Sequence, residues 1–169
     1  MKYKPEHGFP YYIELVKDKD CRSLFSSLST ATFLDSINEE KATFRYGPGK
    51  WSIKQIVGHI TDHERIKMFR AFLLSRGESI QLWGYDQEFL VNNSRFDDVT
   101  MQQLVLDYIN VRKASISFID MLSENQLKIK GLAQQHEITL EDFLKSIIGH
   151  EIHHIGIINK KYMSGNHEN

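Results

Sequence analysis

Cysteine is nearly absent from this chain: of 169 residues, only Cys21 is one. A single thiol excludes an internal disulfide framework and fits a reducing compartment. Proline is scarce as well, with three, at positions 5, 10 and 48. No proline therefore interrupts a helix beyond that point. Long apolar runs are missing; none approaches the roughly 18 residues that a bilayer span needs. Met1-Lys2-Tyr3-Lys4-Pro5 leads into no apolar stretch of the kind a signal peptide carries. The expectation is a cytoplasmic chain with no membrane segment. An excess of either charge is also lacking, with 21 Lys+Arg against 22 Asp+Glu. That balance argues against a nucleic-acid partner, which calls for a basic stripe. At 41% hydrophobic residues the chain can bury a core without staples. No linker-like stretch divides it, so a single domain over 1–169 is expected.

Helical patterns fill most of the length. Asp20 is a candidate N-cap, and Leu24, Phe25, Leu28, Thr32 and Leu34 follow at roughly helical spacing. The expectation is one helix from there to about Ile37. Tyr11 to Val16, before it, reads as a short turn or an arm. Gly47-Pro48-Gly49 marks a loop. Ser52 with Gln55 forms a capping box for a second helix that stops at Gly77. Thr100 with Gln103 opens a third, running to about Leu122, and Thr139 with Asp142 opens the last, ending near Gly165. Residues 77–98 form a long connection, holding Trp83, Tyr85 and Phe89, of the kind that is functional or carries a short helix of its own. No convincing strand alternation appears, and the region around Gly131 reads as a loop. The predicted fold is an all-α four-helix bundle with a long crossover between its second and third helices.

What the sequence has in quantity is histidine: eight in all. The last helix reads Gly149-His150-Glu151-Ile152-His153-His154. On a wheel that sets Phe143 at zero, His154 falls at about 20° and His150 at about 340°, against the apolar arc, while His153 falls at about 280°. His150 and His154 therefore point inward together. Two buried imidazoles are costly without partners, and neutral imidazole is the commonest metal ligand. The second helix offers His59 and His63, again four apart. One of them added to the final pair makes three nitrogens, the composition of a site with an open coordination position. Spacing alone leaves both open. His150-Glu151-x-x-His154 also matches the zincin H-E-x-x-H pattern. Glu151, however, lies at about 80°, inside the apolar arc, where it needs a partner such as the second nitrogen of a ligand histidine; Arg65, Arg70 and Arg112 are candidates for ion pairs with Asp62, Glu64 or Glu151.

Several segments together resemble the DinB-like superfamily, more narrowly its YfiT-type members. They are Arg45-Tyr46-Gly47-Pro48-Gly49-Lys50-Trp51-Ser52-Ile53, Val57-Gly58-His59-Ile60 with Asp62, Glu64 and Arg65, then Gly84-Tyr85-Asp86-Gln87, Arg112, and Gly149-His150-Glu151 with His154. The resemblance implies a four-helix bundle, often a homodimer, with a three-histidine metal site. By motif position the ligands are His59, His150 and His154. Glu151, His63, Tyr85 and Arg112 are candidates for the pocket or for supporting the ligands. Ile157 departs from the pattern, which often has Gln there. The implied cofactor is a divalent ion, with Zn, Ni, Fe, Co and Mn all compatible with three imidazoles. The implied activity is that of a hydrolase or an S-transferase, the latter with a low-molecular-weight thiol as co-substrate, acting on a small molecule. The competing readings are a non-catalytic metal-binding or stress-response module and a purely structural bundle with core histidines.

Overall fold

The computed structural model describes residues 1–78, 84–133 and 136–163, so Trp83 and Gly165 lie outside the described residues. A short 3-10 turn, Pro5–His7, leads into α1 (Phe9–Glu14), and then come α2 (Cys21–Phe25), α3 (Ser29–Asp35) and α4 (Glu39–Thr43). The long α5 (Ile53–Ser75) follows, and the crossover carries α6 (Gln87–Asn92) and a 3-10 turn, Phe96–Asp98. Next come α7 (Met101–Asp120), α8 (Glu124–Leu127), the hairpin strands β1 (Lys130–Ala133) and β2 (His136–Thr139), and α9 (Leu140–Ile157), which continues as π-helix to Met163. The fold is a four-helix bundle: α5 packs on α7 and α9, the α2–α3 pair forms the fourth member, and α1 lies along α9.

The helix starts follow from local hydrogen bonding. Gln55 N–H donates to Ser52 Oγ at 3.1 Å, and Ser52 N–H donates back to Gln55 Oε1 at 3.0 Å. Thr100 and Gln103 repeat this exchange at the start of α7, and Thr139 caps α9 by accepting from Asp142 N–H. Gly77, at φ +81°, ends the turn after α5, in a region where a side chain would be strained.

Two expectations need correcting. The first bundle helix is not continuous but breaks between Phe25 and Ser29. Ser26 Oγ donates to the Arg22 carbonyl, and the Ser27 and Ser29 hydroxyls bond each other, which offers the backbone an alternative to the helix. Leu28, counted in the apolar stripe, is 75% exposed at the break. The second correction is the antiparallel hairpin in place of the loop around Gly131, paired from Lys130 with Thr139 to Ala133 with His136. Strands of four residues are too short to show a period, and only Ile138 is buried among the described side chains of β2.

The buried apolar residues separate into two clusters. One holds Cys21, Phe25, Leu74, Ile119, Phe143 and Ile147. The other holds Leu34, Ile53, Val57, Leu104, Tyr108 and Ile158. Reading along each helix, the boundary falls at Thr30, at 59–67, at Arg112 and at 150–154. A polar layer therefore crosses the middle of the bundle. Arg112 donates to both Glu64 oxygens at 2.8–3.1 Å and also to Glu151. Thr30 Oγ1 donates to Glu151 Oε1 at 2.6 Å, and Tyr108 O–H donates to Glu151 Oε2 at 3.0 Å. This network joins α3, α5, α7 and α9. Burial works against the Arg112 charge, but Glu151 and Glu64 together hold its pKa above the ordinary range.

Candidate metal centre

The histidines occupy the other half of the polar layer. His59 on α5 and His150 on α9 are 2% and 4% exposed, and His154 is partly exposed one turn on. His150 Nε2 lies 3.2 Å from His59 Nε2 and 3.2 Å from His154 Nε2. One ligand atom from each residue falls within 4.8 Å of the others, a grouping that could hold a metal ion. Tetrahedral Zn–N bonds of about 2.0–2.1 Å would set nitrogens roughly 3.3 Å apart, close to the spacing seen. Burial pushes the pKa of His59 down to about 4. The pKa values of His150 and His154 fall well below the usual histidine range, by burial first and by neighbouring histidines second. All three are therefore neutral, as ligands must be.

The hydrogen-bond arithmetic leaves this cluster incomplete. A neutral imidazole nitrogen offers one proton or one lone pair. His150 Nε2 faces two other Nε2 atoms and cannot serve both with one directed bond. Its Nδ1 is buried with no partner among the described residues. A cation bound by all three Nε2 atoms would satisfy the convergence.

Neighbouring groups hold the rings in place. The His63 ring stacks on His150 with centroids 3.8 Å apart and planes 13° off parallel. Its Nδ1 shares a 2.7 Å hydrogen bond with the Tyr85 hydroxyl, which brings the crossover onto the site. Tyr12 presents its ring edge-on to His150 at 5.2 Å. α1 can come this close because residue 149 is glycine: a Cβ there would overlap the Tyr12 carbonyl oxygen. His153 points elsewhere and bonds the Tyr11 hydroxyl at 3.1 Å.

Glu151 bonds no histidine among the described residues; its partners are Arg112, Tyr108 and Thr30. Of the two partners expected for it, a ligand histidine and Arg112, it takes Arg112; the wheel gives direction and not which helix lies opposite. Arg112 likewise sits in the buried network. Arg65 bonds Asp62 and Asp107 at the surface, and Arg70 has no ion pair among the described residues. Trp51 has its ring centroid 4.9 Å from that of His59 and donates from Nε1 to Glu88 at 3.1 Å. It lines a cleft of about 180 Å³ that reaches His154, together with Tyr46, Ile56, Glu88, Ile157 and Tyr162. Sequence reasoning also passed over Tyr12 and Lys67. The available signals were a Tyr-Tyr pair in the arm and a lysine on the inner stripe of α5.

The family model of the DinB superfamily matches residues 29–158. The chain belongs to the DinB superfamily. A protein of Oceanobacillus iheyensis, whose name assigns it provisionally as a metal-dependent hydrolase, is 29% identical over 127 residues, covering 74% of this chain and 72% of its own. YfiT from Bacillus subtilis, described as "a probable metal-dependent hydrolase with an unusual four-helix bundle topology", superposes with a TM-score of 0.68 at 17% identity, over 95% of this chain and 89% of its own. At that identity the likeness shows the shared fold alone. Among the described residues, no helix is long and apolar enough to cross a membrane.

Proposed function

We propose that the chain is a divalent-metal-dependent enzyme in which His59, His150 and His154 hold the ion and a small molecule is the substrate. The observation that carries this is the convergence of three neutral imidazoles on one point, with His150 Nε2 3.2 Å from each of the other two. A bound divalent ion supplies Lewis acidity, lowering the pKa of water or of a low-molecular-weight thiol so that its anion forms at neutral pH. The chain's own residues do the rest. His63 and Tyr12 fix the orientation of His150 from two sides. Trp51, held through Glu88 and by the Tyr162 hydroxyl on its carbonyl, walls the cleft beside His59 and His154. That cleft, of about 180 Å³, has room for a small molecule.

The zincin reading fails on chemistry. In that reading Glu151 activates water. Here both carboxylate oxygens are buried and taken up by Arg112, Tyr108 and Thr30. The finer reading is a hydrolase or thiol S-transferase, and we propose a homodimer as the working form. Metal content of protein purified without a histidine tag, measured by mass spectrometry, tests the core of this. His59→Ala and His154→Ala lose most of the metal and His153→Ala keeps it. Loss in His153→Ala with retention in His154→Ala would refute the ligand set. Assay of the loaded protein against thiol-plus-electrophile and ester panels then separates the two activities. Absence of any turnover in loaded protein favours the binding-module alternative. Sedimentation as a monomer alone at micromolar concentration would refute the dimer.

A further inference from the structure

One seam of the bundle is left open. A groove of about 560 Å³ runs between α5 and α7, and every described residue lining it belongs to one of those two helices. Met68 and Phe72 from α5, with Val111, Ala114 and Phe118 from α7, make its walls apolar. Large apolar side chains stand on the same side of the molecule: Phe69 is 63% exposed, Phe72 42%, Leu106 57% and Met121 72%. Spacings of three and four residues place Phe69 beside Arg65 and Phe72, Leu106 beside Asn110, and Met121 beside Phe118. One exposed apolar side chain is ordinary, but several along one groove mark an interaction surface. No lysine or glutamate lines the groove, while Phe, Met and Arg do, which is the bias of protein interfaces.

Charge selects the partner. The charged residues lining the groove are Arg65 and Asp107, and they pair with each other. Arg65 also pairs with Asp62 at 3.0 Å, so one guanidinium serves two carboxylates, and the Arg65 and Asp107 side chains remain half-exposed. The groove is neutral, so it neither calls for a strongly charged partner nor repels a copy of itself. The contacts climb together along the two helices, Arg65 with Asp107 and then Phe72 with Phe118, so α5 and α7 run parallel. A two-fold axis laid along the groove sets α5 of each copy on α7 of the other. It brings Arg65 of each copy to Asp107 of the other and closes a ring of alternating charges. Each Asp107 then gains a second guanidinium in place of its share of one.

The area suffices. From Gln103 to Met121 the face runs about 27 Å at 1.5 Å per residue, and two packed helices are about 20 Å across. Side-chain relief raises that plan area of roughly 540 Å² toward the roughly 800 Å² per partner of a standard interface.

We propose that the open α5–α7 face is where a second copy of this chain docks, packing α5 and α7 of one copy against α7 and α5 of the other. The inference rests on the homodimer proposed above and adds the surface that forms it. The cleft at His154 shares no residue with this groove, so docking leaves it uncovered.

The test is sedimentation velocity of the full-length protein across the micromolar range, with metal content and far-UV circular dichroism read on the same samples. A monomer throughout overturns the homodimer and the face together. Phe69→Glu and Leu106→Glu, at exposed positions, are expected to raise the dimer Kd at least 10-fold with helicity and metal content unchanged. An unchanged Kd in both overturns the face and leaves the homodimer standing. The charge pair supplies a readout by recovery. Arg65→Glu alone and Asp107→Lys alone each set like charges against each other at both contacts and are expected to weaken the dimer. Mixing the two variants restores opposite charges at both contacts between copies, while within each copy the like charges remain. Dimer is expected to return in the mixture and in neither variant alone, an outcome that misfolded chains cannot give. A mixture that assembles no better than its components overturns the two-fold arrangement.

Discussion

Replacing Arg112 by Met removes the only cation, among the described residues, from the polar layer's carboxylate network. Arg112 is 6% exposed, and its partners Glu64 and Glu151 are 1% and 5% exposed. The two carboxylates are not left equally exposed to the loss. Glu151 still accepts from Thr30 at 2.6 Å and from Tyr108 at 3.0 Å. Glu64 has Arg112 as its sole hydrogen-bond partner among the described residues, so it becomes an orphaned buried charge. Breaking such a pair from one side costs about 3–5 kcal/mol, most of it the penalty of the stranded partner. Arg112→Met should therefore lose about that much in urea unfolding followed by far-UV circular dichroism at pH 7. The asymmetry makes the sharper test. Adding Glu64→Leu removes the orphan and should restore at least half of the loss, since apolar replacement of a buried pair is often neutral. Adding Glu151→Gln instead should restore much less. A loss below 1 kcal/mol, or equal rescue by either second substitution, would refute the reasoning.

Gly149→Ala drives a methyl group into the Tyr12 carbonyl; it should cost about 2 kcal/mol or more and expose residues before 20 to limited proteolysis, and an arm that stays protected would contradict the contact. Lys67→Met should stabilise the protein at pH 7, because the folded-state pKa of about 7 lies below the unfolded value. The unfolded chain then binds more protons between about pH 7 and 10.5, so wild-type stability rises with pH there and is lost as pH falls. The variant's advantage is at most about 4–5 kcal/mol at pH 7 and shrinks toward pH 10; urea midpoints at both pH values check the sign. Cys21 is 2% exposed, and burial pushes its thiol pKa up to about 12. It should resist a thiol reagent at pH 8 until urea unfolds the chain, and immediate labelling of native protein would show that it is not enclosed.

The features legible before folding are those encoded within a few residues. Ser52 and Gln55 bond each other across three positions, and so do Thr100 and Gln103, so their helix starts could be read directly. The inward direction of His150 and His154, with His153 turned aside to Tyr11, follows from 100° per residue and nothing else. Direction is not partnership, however. His59 meets His150 across 91 positions of sequence, and only the alignment of α5 against α9 brings it, rather than His63, to the shared point. The same alignment stacks His63 on His150 and turns Glu151 toward Arg112. The break at Ser26 and the hairpin at Gly131 were missed because competing local hydrogen bonds and four-residue strands leave no period to detect. Lys67 was illegible for a related reason. A lysine in a helix is ordinary, and what makes this one unusual is the rings of Phe9 and Phe143, supplied by two other helices, where Lys54 was supplied with a carboxylate. Local hydrogen bonds and side-chain direction were written in the sequence, while the identity of each buried group's partner was set by the packing of distant helices.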